Sequence, residues 1–108
     1  MLEDNPTVFV GKIYLQHSRG DTYLIYTKSD ISKGGYMYDV IVKENVVLAL
    51  GNDSVIYVKT EIANATRFYM IKHNKGETLL DVKDMDSLNF IKSIKGKEIE
   101  YMYKYGSK

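Results

Sequence analysis

Two histidines, His17 and His73, are the only imidazoles in this chain of 108 residues, and cysteine is absent. Metal, acid–base or nucleophilic chemistry would have to be built around them or around paired carboxylates. Neither histidine has a second one at the His-x-His or His-x₃-His spacing that metal sites use. Each falls at a strand end beside a turn, where a solvated ring is the simpler reading. Asp84-x-Asp86 has the spacing of a metal-binding fragment, yet both carboxylates stand where a helix needs its first amides capped. Glu98 and Glu100 share one face of a strand, near enough to perturb each other as the carboxylate pair of a glycosidase does. Lys95, Lys97 and Lys104 lie close in sequence, however, and favour a solvated mixed-charge face. No serine sits in a nucleophile elbow. Gly34-Gly35 and Gly51-Asn52-Asp53-Ser54 each lead into a strand rather than into the helix N-terminus that cradles a phosphate. The expectation is a protein that is not an enzyme, with no metal and no cofactor.

Recognition chemistry is better represented. Ten tyrosines occur without any tryptophan. Tyr101, Tyr103 and Tyr105 stand two apart, as do Tyr36 and Tyr38, and a period of two puts such side chains on one face of a strand. A phenol joins a large flat apolar area to one hydroxyl at little rotamer cost, so a row of them either roofs a core or grips a partner. Tyr36 and Tyr38 follow a double-glycine loop and are the less constrained by a core. Lys33-Gly34-Gly35-Tyr36-Met37-Tyr38 resembles in part the aromatic strand motif of RNA-recognition domains. The extra glycine, Asp39 where valine is wanted, and the lack of a βαββαβ order break that match. Asn52, Asp53, Asn64 and Arg67 could add polar anchors to a pocket if the loops bearing them converge.

The elements that must position these groups are mostly strands. Alternation and turn residues predict strands over Val8–Gln16, Thr22–Lys28, Tyr36–Lys43, Val46–Leu50, Ser54–Thr60, Arg67–His73 and Glu77–Val82. Ser18-Arg19-Gly20-Asp21 and Asn74-Lys75-Gly76 read as tight turns, while Glu61–Thr66 reads either as one helical turn or as a crossover loop. The period then changes: Met85, Leu88, Ile91 and Ile94 recur every three residues, as on a short amphipathic helix. Asp84, Asp86 or Ser87 can cap it and Gly96 can end it. A last strand, Lys97–Tyr105, closes the chain. The expected fold is mainly β within one domain, residues 1–108. It would be an antiparallel small barrel or strongly bent sheet, SH3-like or OB-like, with one short helix before the last strand.

Charge and composition narrow the partners. The formal charge is +1, with thirteen lysines against two arginines, and base or phosphate readers favour the arginine fork. Lys92–Lys108 alone carries a local excess of positive charge. No apolar run approaches the ~20 residues of a membrane span, and the acidic N-terminus lacks the order of a signal peptide, so the expected location is cytoplasmic. Three readings follow. The first is a small binding protein that acts on a protein partner, or on a second copy as a homodimer, through a tyrosine-rich β surface. Its size and lysine bias would suit a phage or mobile-element accessory protein that inhibits a host enzyme. The second is a single-stranded nucleic-acid or nucleotide binder using stacked tyrosines. The third is a small-ligand sponge with its pocket at a dimer seam.

Overall fold

The computed structural model describes residues 6–28 and 38–105. Strands β1 (Thr7–Val10), β2 (Ile13–Ser18), β3 (Asp21–Tyr26) and β4 (Asp39–Val42) form one antiparallel sheet in chain order. The single strand expected over Val8–Gln16 is instead a hairpin. Gly11 takes a φ of 56°, which a glycine adopts without steric cost, and the chain reverses there. Ser18 pairs with Asp21, so the next loop has two residues. Arg19 and Gly20 both have positive φ, 53° and 86°, and the twist of such a turn matches that of the strands it joins.

The second sheet has five strands in the order β8-β7-β6-β5-β9, all antiparallel. They are β5 (Asn45–Gly51), β6 (Val55–Ile62), β7 (Ala65–Asn74), β8 (Thr78–Met85) and β9 (Tyr101–Lys104), with helix α1 (Ser87–Lys95) between the last two. Glu61–Thr66 is neither helical nor a crossover. The strands run on to Ile62 and resume at Ala65, turning at Ala63, whose φ is 54°. The fold is therefore mostly β, with two bent antiparallel sheets and one short helix among the described residues.

Alternation decides what each face buries. Ile56 and Val58 of β6, Ile71 of β7 and Val46 and Ala49 of β5 point toward the first sheet. They meet Phe9, Val10, Ile13, Leu15, Leu24 and Val42 in the main core. β3 lies against β5 and β1 against β9. Two turns lock the ends of this sandwich together: the Lys12 amide donates to the Gly76 carbonyl at 3.0 Å, and the Tyr26 hydroxyl to the Glu77 carbonyl at 2.6 Å.

The opposite face of the second sheet receives α1. Asp86 caps the helix by accepting from the Asn89 amide at 2.7 Å, and Lys92 and Lys95 occupy the last turn, where cations suit the helix dipole. Gly96 ends it at a φ of −99°, so the glycine is used without a left-handed conformation. Phe90 is the buried residue of the helix. Its ring meets Tyr57 edge-on at 6.3 Å and Phe68 at 4.7 Å, and Met70, Met85, Leu48 and Ile94 complete this smaller cluster. No helix among the described residues is long and apolar enough to cross a membrane.

Candidate functional site

β9 pairs with β5 so that Tyr103 lies opposite Ala49 and Tyr101 opposite Gly51. Those partners face the core, and the two phenols pack against it. The Tyr101 ring stands 6.1 Å from Phe9, and its hydroxyl donates to the Asp53 carboxylate at 2.9 Å. That bond, followed by burial, raises the Tyr101 pKa. The Tyr103 hydroxyl lies 3.0 Å from the Thr22 hydroxyl, which is 2.8 Å from His17 Nδ1, and the Tyr103 and His17 rings are 5.8 Å apart. Tyr105, past the end of β9, is exposed, and so is Tyr38 ahead of β4. Tyr36 lies outside the described residues. The row therefore splits, with two phenols closing the core and one reaching solvent.

Asn52 and Asp53 occupy the turn between β5 and β6. The Asn52 side-chain oxygen accepts from the Ser54 and Val55 amides, and its amide group donates to the Glu98 carbonyl at 3.0 Å. The Asp53 carbonyl accepts from the Lys75 amide at 2.7 Å. Buried beside this turn is His73, 3% exposed, whose Nδ1 accepts from the Gly76 amide at 2.8 Å. Its Nε2 is buried without a hydrogen-bond partner among the described residues, and the Asn52 backbone and the Asp53 charge act on the ring from the adjoining turn. Burial pushes the His73 pKa down, against the smaller opposing pull of those two groups. Nδ1 as acceptor requires the neutral tautomer with the proton on Nε2.

Arg67 does not join them. It pairs with Thr60 across the sheet, whereas the Asn52–Asp53 end of β6 pairs with Lys72. At about 3.4 Å per residue the two sites lie at opposite ends of the strands. Asn64 is exposed in the turn at the Arg67 end. The loops that would have made one polar pocket from Asn52, Asp53, Asn64 and Arg67 thus do not converge. Arg67 instead bridges Glu44 at 3.1 Å, and the Thr60 and Tyr69 hydroxyls donate to the same carboxylate at 2.7 and 2.8 Å. The Thr60 bond, with help from Tyr69 and Arg67, holds the Glu44 pKa below its ordinary value although burial opposes this. Glu44 escapes a sequence reading because its partners lie 16 to 25 residues away and no local pattern marks them. Among the described residues no group of three or more His, Asp or Glu is placed to hold a metal ion.

The outer face of the second sheet is only partly covered. Leu50 lies opposite both Tyr57 and Met102, so Met102 and Lys104 share the face that carries the helix. A nine-residue helix is about 14 Å long and 10 Å wide, while five strands span about 19 Å between the outermost axes. One helix cannot cover that face. Met102 is 67% exposed, and on the helix itself Leu88 and Ile91 are 65% and 52% exposed. The apolar stripe of α1 is wider than the part buried by Phe90 and Ile94. Exposed lysines flank these side chains: Lys92 and Lys95 on the helix and Lys104 beside Met102. On the β7–β8 flank of the same face is an open cavity of about 570 Å³ floored by Val55, Tyr57, Met70 and Leu80.

No protein-family model matches the chain, and neither a curated protein nor a solved structure matches it.

Proposed function

We propose that this is a non-catalytic binding protein that acts in the cytoplasm by docking a protein partner on the outer face of its second sheet. The observation that carries this reading is the exposure of Leu88 and Ile91 on α1 and of Met102 on the sheet face that carries this helix. Large apolar side chains clustered on a surface mark interaction sites, because water contact with them is unfavourable and association removes it. Methionine adds an adaptable contact. The lysines around the patch select a partner whose matching surface is apolar with an acidic rim, since rim charges steer encounter and reject like-charged competitors. Tyr105 extends the surface at the end of β9. Tyr101 and Tyr103, tied to Asp53 and Thr22, support it from behind rather than contacting the partner. A second copy of the chain is one such partner, and inhibition of an enzyme by covering its surface is the activity that such docking would produce.

The test is affinity capture with the whole protein alongside Leu88→Glu and Met102→Glu variants, followed by hydrogen exchange on the purified complex. A captured protein should be retained by the wild type and released by both variants, with new amide protection over residues 88–102. Light scattering on the isolated chain decides whether the partner is a second copy. Protection confined to the first sheet, or capture indifferent to both variants, would refute the assignment. Capture of single-stranded nucleic acid instead, with salt-dependent affinity, would replace the protein partner by the stacking reading.

A further inference from the structure

We propose that the cavity between β8 and the end of α1 is a binding site for a small amphipathic anion, an apolar or aromatic body bearing one carboxylate or phosphate group. This site lies on the flank of the face proposed for docking but does not use Leu88, Ile91 or Met102, so its test does not depend on that reading. Its volume, about 570 Å³, lies in the range of small-molecule pockets, roughly 300–1,000 Å³. The floor is apolar: Val55 and Tyr57 from β6, Met70 from β7 and Leu80 from β8. Leu80 is there because of a bulge. His73 pairs with Leu79 and Lys72 with Asp81, which leaves Leu80 without a partner on β7, and bulges re-aim side chains in this way. The result is a leucine 64% exposed against the apolar floor.

Two ammonium groups line the same cavity, Lys72 and Lys97. Lys72 stands across the sheet from Asp81, but that carboxylate is taken by Lys83 at 3.5 Å. Neither Lys72 nor Lys97 has an ion-pair partner among the described residues. The third observation is Tyr57. Its side chain is only 2% exposed and packs on Phe90, yet its hydroxyl makes no hydrogen bond with any described residue. The hydroxyl is not sealed in, since the one enclosed side-chain polar atom without a partner among the described residues is His73 Nε2, and Tyr57 lines the open cavity. Water meets this hydroxyl in the free protein, and the polar head of a ligand can take that water's place. An apolar floor rewards a hydrocarbon body, two unpaired ammonium groups reward a negative head, and the phenol supplies a directed hydrogen bond to it.

The full chain, labelled with ¹⁵N, is titrated with decanoate and with decyl phosphate, with decyltrimethylammonium and inorganic phosphate as probes lacking the head or the body. Saturable shifts should concentrate on the amides of Val55, Met70, Lys72 and Leu80 with at least one of the two anions, and the stronger one identifies the head group. The cation should leave these amides unmoved, and inorganic phosphate should bind at least about tenfold more weakly. Lys72→Ala with Lys97→Ala should weaken binding by roughly fivefold or more. Tyr57→Phe should weaken it about fivefold while leaving the unfolding midpoint of the free protein unchanged or higher, because a hydroxyl that bonds no described residue adds no internal hydrogen bond to the fold. Leu88→Glu and Met102→Glu should titrate as the wild type does. Equal response to the cation, no saturable shifts at these amides, or wild-type affinity in the lysine or tyrosine variants overturns the proposal.

Discussion

Glu44→Ala should be among the most destabilising single changes in the molecule, although the residue sits at the edge of a surface loop. Three donors converge on its carboxylate and differ in what they can do once it is gone. Thr60 is fully buried, so its hydroxyl is stranded without water, a penalty of about 1–3 kcal/mol. Tyr69 is half-buried and can rehydrate, losing only a net hydrogen bond of about 0.5–1.5 kcal/mol. The Arg67 side chain is 61% exposed, and the loss of such a surface pair costs about 0–1 kcal/mol. The sum is about 1.5–5.5 kcal/mol, a fall in Tm of at least roughly 6 °C for a chain of this size. Thr60→Val removes the stranded group instead of its acceptor and should cost about 1 kcal/mol. The double variant should then be no worse than Glu44→Ala alone, a coupling of about 1–2 kcal/mol in a double-mutant cycle. Urea unfolding at pH 7 measures all four proteins. The donors hold the ionised form, and the folded pKa lies below the ordinary 4.5. The contribution is therefore complete above pH 4.5 and disappears as pH falls through the lower folded value, so wild type and Glu44→Ala should converge in acid. Additive costs, or a Glu44→Ala effect under about 0.5 kcal/mol, would refute the reasoning.

Two further outcomes follow from the turns that close the sandwich. His73 is neutral in the folded chain, with its pKa pushed below the ordinary 6.5 by burial. The unfolded chain therefore binds more protons as pH drops below 6.5, and stability should decline from there down to the folded pKa. A His73→Gln variant should lose that slope between pH 7 and 5 in thermal unfolding, and an unchanged slope would show that another group titrates. Gly76→Ala should cost at least about 2 kcal/mol, because a φ of 72° is left-handed and the new Cβ would sit 2.1 Å from the Val10 carbonyl oxygen. Gly20→Ala, at a φ of 86° with nothing within 4 Å, carries the left-handed strain alone, and the difference between their unfolding midpoints measures the contact. Equal losses would mean that the Val10–Gly76 approach relaxes freely.

Much of the architecture could be read along the chain. The turn at Arg19-Gly20, the turn at Lys75-Gly76, the helix behind Asp86 and most strand segments depend on local preferences: alternation, side-chain caps and residues that tolerate positive φ. The misreadings also have local causes. Val8–Gln16 alternates well enough for one strand, and Gly11 fits a bulge as well as a turn; the approach of the Lys75–Gly76 turn makes it a turn. Glu61–Thr66 has no strong strand former in its middle, and only pairing of β6 with β7 on both sides extends the strands through it.

The amino-acid order by itself determined that this chain pleats, where it turns, and that tyrosines at Tyr101, Tyr103 and Tyr105 stand on one side of a strand. It could not say which side meets the core, because a shift of one residue against β5 exchanges the two faces. The tertiary structure decided this by setting Tyr101 and Tyr103 opposite Gly51 and Ala49, whose small size leaves room for a phenol. Met102 and Lys104 were thereby turned outward, Glu44 was joined to donors far along the chain, and Tyr57 was set in the lining of a cavity. Those arrangements depend on contacts between segments distant in sequence, and local spacing carries no record of them.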